Sequence, residues 1–444
     1  MNVVEEVVAK NWCIGCGMCA AVCSEKHLEI RWNDRGEYVP VEIEESGKCS
    51  ARCSVCYRIC PAHGYTKNAT EIGRCRYGGV EGIQHRDETG YFLSSYVGYS
   101  ERHRARGASG GMATWMLEKL METGEVDAVA AVSAGSDPDR LFEFKICWTP
   151  EEIRGCSRSS YYPVEVSQVI QYILTNSGRY AVIGLPCVCK AVRLAQDVMP
   201  KLRRRIKFLL GLSCGHQCSR FFAEYICALG GGRPSELKEI IFRTKDFSEL
   251  ASNIGFEFRS GEGADEISGQ VLWYDGVNIV YENGYFQLPG CFHCDDVFAE
   301  CADVVFMDAW LPEYVTDPKG TSLVIVRRPE LDALLCANPN ISGIEINRVI
   351  ESQRAALKRK RTRLFRIDSP PIREFRKKSF IIDRLIETQK LKLCFQSGKC
   401  WDGDIVEFEK KIKSYRKPID QLNALCKLVL GSFKFVAIFL SRFR

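Results

Sequence analysis

CIGCGMCAAVC (residues 13–23) and CSARCSVCYRICP (residues 49–61) decide how this chain is read. The first sets Cys13, Cys16, Cys19 and Cys23 in the spacing C-x2-C-x2-C-x3-C. The second sets Cys49, Cys53, Cys56 and Cys60 in C-x3-C-x2-C-x3-C, followed by Pro61. A cubane cluster needs four thiolates around a compact core. Two intervening residues let one tight loop wrap three corners, and the fourth ligand comes from further away. Both runs therefore point to [4Fe-4S] sites. A zinc site would use paired C-x2-C units rather than a triple-plus-one run.

In two-cluster ferredoxins each run lends its fourth cysteine to the other cluster. That rule groups Cys13, Cys16, Cys19 and Cys60 around one cluster, and Cys49, Cys53, Cys56 and Cys23 around the second. Gly15 and Gly17 let backbone amides approach the sulfides. The extra residue between Cys49 and Cys53 departs from the strict run. Such clusters pass single electrons, so the remaining chain is to be read as a source or sink for them.

At 444 residues the chain has room for two or three domains. Its 46% hydrophobic and 26% charged residues are an ordinary globular composition. Met1 to Asn11 carries charged residues and no apolar core of a signal peptide. Together with 23 cysteines this predicts a reducing, cytoplasmic compartment, where thiols serve metals rather than disulfides. No stretch reaches the roughly 18 apolar residues of a membrane span. The net charge of +5 is local: residues 351–380 hold eleven Lys or Arg against three Asp or Glu. The run Lys358, Arg359, Lys360, Arg361 and Arg363 reads as a solvated helix face, or as a contact for acidic lipids or an acidic partner. No nucleic-acid partner is expected.

Residues 1–70 read as a bacterial-ferredoxin-like domain and 71–95, with five glycines, as a linker. From residue 96 the pattern alternates helices with apolar strands, an α/β (α+β) arrangement. Helices are expected at 112–122 and 167–175. Strands are expected at 126–132, 180–184, 206–212 and 304–307. Beyond about residue 345 the chain reads as a helical basic tail broken at Pro370-Pro371. Its apolar end, Leu428 to Leu440, is too short to span a bilayer. It suits either a membrane interface or packing on the body or a partner.

Four further cysteines carry chemistry. Cys187 follows the strand in YAVIGLPC, and Cys214 follows that in IKFLLGLSC. If these strands are parallel neighbours, both thiols share the sheet edge where α/β folds bind ligands. Cys291 and Cys294 form C-x2-C before ADVVFMDAW. Together the four suit a third [4Fe-4S] cluster, although buried free cysteines are common and C-x2-C is also a zinc or redox pair. Ser109, Gly110 and Gly111 lead directly into a helix, an arrangement that serves as an anion site or as a simple N-cap. Arg104 and Arg106 could add charge. No G-x-G-x-x-G follows a strand, so a standard dinucleotide site is not supported.

Residues 96–345 resemble the family formed by the β subunits of coenzyme F420 hydrogenases and dehydrogenases. Four stretches carry the resemblance: ASGGMATWMLEKLMETGEVDAV, the GLPC turn, the SCGH turn, and C-x2-C followed by ADVVFMDAW. The resemblance implies a non-covalent FAD and a core [4Fe-4S] cluster. It places cluster ligands on Cys187, Cys214, Cys291 and Cys294, and flavin phosphate contacts around Ser109, Gly110, Gly111 and Thr114. The chain departs from the family pattern at Val188, at Gln287 to Gly290 and at Met307 to Trp310. These departures leave the cluster intact and bear on the substrate.

Flavin converts one-electron to two-electron chemistry. The expected function is a relay from a partner through the two ferredoxin-type clusters, the core cluster and FAD to a two-electron substrate such as coenzyme F420. The reverse direction is equally compatible. Asp308 and His216 are candidates for proton handling or for ordinary structural hydrogen bonds. Two other functions compete. One is a reductase of a sugar- or lipid-linked intermediate, with the tail at a membrane surface. The other is a non-catalytic electron-transfer subunit.

Overall fold

The computed structural model describes residues 2–44, 49 and 53–368. Two short hairpins precede the main sheet. β1 (Leu28–Trp32) and β2 (Tyr38–Glu42) pair within the cysteine-rich region. β3 (Gln84–Arg86) and β4 (Gly90–Phe92) form the second. Next come β5 (Ser94–Gly98), β6 (Ala128–Asp137), β7 (Arg140–Cys147), β8 (Tyr180–Gly184) and β9 (Ile206–Leu212). β10 (Leu237–Thr244), β11 (Gly255–Ser260) and β12 (Ile267–Leu272) make a separate antiparallel sheet. β13 (Val304–Asp308), β14 (Ser322–Val326) and β15 (Ile341–Gly343) return to the main one.

That main sheet has eight strands in the order β15-β5-β14-β13-β9-β8-β6-β7. Its central four, β13, β9, β8 and β6, run parallel. The outer pairings are antiparallel. β8 is buried along its whole length, as its unbroken apolar run YAVIG requires of a strand covered on both faces. One layer of apolar side chains covers each face. Met112, Met116 and Leu120 of the helix Met112–Glu122 pack on one side with Val129, Ala181 and Phe306. Val188, Ala191 and Val192 of the helix Pro186–Val198 pack on the other with Val182 and Val305. Pro186 sits in that helix's first turn, where its missing N–H leaves no bond unmade.

The second layer also contains Met18, Ile59 and Ile72, so the cysteine-rich segment shares the body's core. Residues 71–95, expected as a linker, instead carry the end of the helix Ala69–Tyr77 and the hairpin β3–β4. Asn68 fixes that helix: its side chain accepts from Glu71 N at 2.8 Å, and Glu71 accepts from Asn68 N at 2.8 Å. The strand expected from residue 126 begins at Ala128 and runs on to Asp137, because it turns directly into β7. The tail begins with the helices Ile346–Ser352 and Arg354–Asp368. The break at Pro370-Pro371 and the apolar end at residues 428–440 lie outside the described residues.

Candidate functional site

In the N-terminal region the thiols fall into two crossed groups. Cys13, Cys16, Cys19 and Cys60 line one apolar cavity with Val3, Val7, Ile14 and Ile59. Burial, and then the neighbouring Cys16, Cys13 and Cys60, push the Cys19 thiol well up. Cys49 is raised by burial and then by Cys53 and Cys23, and Cys56 feels Cys49 and Cys53. The fourth cysteine of each run therefore stands beside the other run. Gly15 N lies 3.4 Å from Cys13 Sγ, and His27 N lies 3.3 Å from Cys23 Sγ. Such amides stabilise sulfur that carries negative charge.

The body cysteines gather at the carboxyl ends of the parallel strands. β8 and β9 are parallel neighbours, with Gly184 opposite Gly211. Cys187 lies in the first turn of the helix after β8, and Cys214 lies two residues after β9. Cys291 lies in the short turn Pro289–His293, and Cys294 follows it. After burial, the groups that push Cys187 up are Cys214, Cys291, Cys294 and then Cys16. Gln217 N lies 3.4 Å from Cys291 Sγ, and its Nε2 lies 3.9 Å from Cys187 Sγ. Lys360 Nζ lies 3.3 Å from Cys294 Sγ.

This set meets the N-terminal group directly. A Cβ built on Gly290 would fall 2.4 Å from Trp12 O and 2.6 Å from Cys13 O. The turn carrying Cys291 thus lies against the turn carrying Cys13, and Trp12 meets His293 edge-on at 5.6 Å. Val166 N also donates to Cys16 O at 2.9 Å.

Among the described residues no three His, Cys, Asp or Glu side chains converge as ligands of a single metal ion. A cubane spreads its four thiolates over separate corners, so this spacing does not count against one. The donor chemistry fits a cluster. Burial pushes Cys13, Cys16, Cys60 and Cys291 up to about 12 and Cys214 up to about 11. Thiols so placed ionise together only when bound cations compensate them.

The Ser109–Gly111 loop is held tightly. Ser109 Oγ donates to Thr321 O at 2.6 Å. A Cβ on Gly110 would lie 2.7 Å from both Gly98 O and Ser322 N. Gly111 has φ +77°, and a Cβ there would meet His103. Packing against β5 and β14 therefore explains Gly110, and a left-handed turn packed on His103 explains Gly111. The helix that follows has no side-chain N-cap, which leaves its first amides available to an anion. Thr114 is buried within that helix.

Three cations surround the loop. Lys245 Nζ donates to the carbonyls of Arg104, Ser109 and Lys319. Burial, then Arg243 and Arg104, brings Lys245 down to about 7. Arg104 Nη2 reaches Asp317 at 2.6 Å and Gly320 O at 2.7 Å. Arg243, at φ 62°, grips both Asp308 oxygens at 2.6 and 2.8 Å and donates to Ala108 O at 3.0 Å. A buried chain braces the loop from behind. Ser100 Oγ contacts His103 Nδ1 at 2.7 Å, and His103 Nε2 contacts Glu118 at 2.8 Å. Arg154 closes the chain onto Glu118 at 2.6 Å.

Of the two candidates for proton handling, Asp308 is paired with Arg243 and His216 stacks on Tyr281 at 4.1 Å. Cys189, Cys218 and Cys301 are buried, and Cys189 Sγ faces the carbonyls of Gly184 and Leu210 at 3.6 and 3.7 Å. Sequence reasoning missed Gln217, Arg243 and Lys245, and took Lys360 only as part of a solvated basic run. Only the strained φ of Arg243 is a signal in its own right, and it is visible only in the backbone.

Comparison with known proteins gives two family matches. The family described as "Coenzyme F420 hydrogenase/dehydrogenase, beta subunit N-term" matches residues 95–171. Its companion family, which describes the C terminus of the same β subunits, matches residues 177–350. The coenzyme F420-dependent sulfite reductase of Methanocaldococcus jannaschii is 22% identical over 380 residues, covering 80% of this chain and 50% of that protein. A component of the F420H2 dehydrogenase of Methanosarcina mazei is 23% identical over 218 residues, covering 48% of this chain and 55% of that component. Ferredoxin-3 of Nostoc is 35% identical over 79 residues, covering 15% of this chain and 79% of the ferredoxin. The chain spans about half the length of the first two relatives. Among solved structures, a chain of the F420-reducing [NiFe] hydrogenase complex from Methanosarcina barkeri superposes with a TM-score of 0.48 at 17% identity, covering 63% of this chain and 93% of that one.

Proposed function

The chain belongs to the family of coenzyme F420 hydrogenase/dehydrogenase β subunits, and on that premise we propose that it is an iron–sulfur flavoprotein oxidoreductase. It exchanges electrons between a protein partner and a small two-electron substrate, coenzyme F420. The two longest-matching relatives have different names for their reactions and share that coenzyme. When bound, the clusters supply single-electron steps and FAD supplies the conversion to two-electron chemistry.

Cys13, Cys16, Cys19 and Cys60 hold the inner N-terminal cluster, and their apolar cavity keeps water from it. Cys23, Cys49, Cys53 and Cys56 hold the outer one. Cys53 is exposed, so this end faces the partner. Cys187, Cys214, Cys291 and Cys294 hold the core cluster. Ser109 to Gly111 and the following helix amides take the flavin's phosphates, with Arg104 adding positive field and Lys245 fixing the loop through its carbonyls. The observation that carries the reading is the backbone contact of Gly290 with Trp12 and Cys13. It sets the inner and core ligand turns side by side, which is what a relay needs and a storage or structural role does not.

The test is an anaerobic spectral titration of the purified chain with reduced coenzyme F420. Bleaching of flavin and iron–sulfur absorbance, stoichiometric in added hydride, is the expected result. A loaded protein that stays oxidised in excess reduced coenzyme would remove coenzyme F420 as the substrate.

A further inference from the structure

The basic run at residues 358–363 reads in sequence as one solvated face. In the helix Arg354–Asp368 it is not. Gln353, just ahead of the helix, Leu357 and Lys360 are buried, while Arg354, Lys358 and Arg361 are exposed. The buried three recur at helical spacing and share one face. Leu357 on that face joins the same apolar core as Val188 and Cys301. Gln353 Nε2 anchors the approach by donating to Asp308 O at 2.8 Å, at the end of β13.

Lys360 occupies the end of this stripe and is only 3% exposed. Its ammonium is held by Cys294 Sγ at 3.3 Å and by the carbonyl of Asp296. No carboxylate lies within ion-pair distance of it among the described residues, whereas the buried Arg104, Arg193 and Arg243 each have one. The fully buried Arg327 is instead capped by five backbone carbonyls. Charged groups buried this far are expected to be paired. The groups that face Lys360 are Cys294, Cys214, Asp296 and Cys291. Three of the four are proposed ligands of the core cluster. A second cation stands close by: a Cβ on Gly215, next to Cys214, would lie 3.5 Å from Arg359 Nη2.

We propose that Lys360 is the counter-charge of the core cluster, a positioning residue that raises the cluster's reduction potential. This inference rests on the core-cluster reading above. A cubane with four thiolates is anionic when oxidised and gains one further negative charge on taking up an electron. A fixed ammonium beside one ligand sulfur therefore stabilises the reduced form more than the oxidised form. The helix that delivers it begins after the matched family region ends at residue 350. Lys360 thus lies outside the matched region. An opposite charge at such range moves a proton equilibrium by about one to three powers of ten. The electron equilibrium responds to the same field.

The test is anaerobic redox potentiometry of the full chain with dithionite, read by electron paramagnetic resonance of the core cluster, together with iron analysis. The variants are Lys360→Met, Lys360→Arg and, as a surface control, Lys358→Met. Lys360→Met should shift the core-cluster equilibrium at least tenfold against reduction, about 59 mV for one electron. Lys360→Arg, which keeps the charge, and Lys358→Met, which removes a solvated and screened one, should stay within about threefold of wild type. Loss of the core cluster in Lys360→Met with retention in Lys360→Arg also supports the proposal. An unshifted Lys360→Met, or equal cluster loss in both Lys360 variants, overturns it. A wild type with about eight iron removes the core cluster itself, whereas about twelve iron with no shift removes this inference alone.

Discussion

Replacing Gly290 with alanine probes the contact on which the relay depends. The new methyl would sit 2.4 Å from Trp12 O and 2.6 Å from Cys13 O, both backbone atoms that no side-chain rotation can move aside. Ordinary contact begins at 3.4 Å, so the two turns must part by about an ångström. Overpacking of this kind costs about 1–3 kcal/mol. Gly290 has no left-handed φ, so the loss is steric and not conformational. Gly79→Ala is the matched control, because nothing lies within 4 Å of its Cβ position and its φ is also ordinary. Anaerobic urea titrations of both variants, followed by iron–sulfur absorbance, give the difference in unfolding free energy. Reduction of the flavin through the N-terminal region should slow in Gly290→Ala while iron content holds. A Gly290→Ala protein within about 0.5 kcal/mol of Gly79→Ala would refute the proposed contact.

Asp303→Ala should cost about 3–5 kcal/mol, because it strands Arg193, 2.7 Å away and almost fully buried, and also frees Leu209 N. Asp127→Ala, which breaks the exposed pair with Arg179, should cost under about 1 kcal/mol. Comparable losses by thermal unfolding would contradict the burial argument. Burial, and then Asp296, raises Glu300 from 4.5 to about 8. A carboxyl with a raised folded pKa contributes stability that is complete below its unfolded value and lost as pH rises through the folded one. Glu300→Gln should therefore flatten the stability profile between pH 4.5 and 8, and parallel profiles would show that Glu300 titrates normally. Chelating the iron should open residues 2–62 to limited proteolysis, since Val3, Val7, Leu28, Ile30 and Tyr38 form a small apolar cluster around the ligand loops. Unchanged protection after complete iron loss would mean that this region folds without metal.

Regular apolar runs made most of the body legible in sequence. The strands at 180–184 and 206–212 and the helices at 112–122 and 167–175 lie where the pattern puts them. Those elements in turn bring Cys187 and Cys214 to one sheet edge. What escaped was information held in the pairing of distant residues. Lys360 has the same sequence surroundings as Lys358, and only the phase of the helix separates the buried ammonium from the solvated one. The glycines of the Ser109 loop invited a phosphate reading, yet close approach to Gly98 and Ser322 already requires one of them. The segment 71–95 was read by its glycines, while the capping pair Asn68 and Glu71 was available in the sequence and marks a helix.

Iron, sulfide and flavin analysis of the anaerobically purified chain, beside a Cys187→Ser, Cys291→Ser double variant, tests the central claim most directly. The wild type should hold about twelve iron and one flavin, and the variant about eight iron with the N-terminal clusters intact. Equal iron in both proteins, or iron without flavin in the wild type, would contradict it.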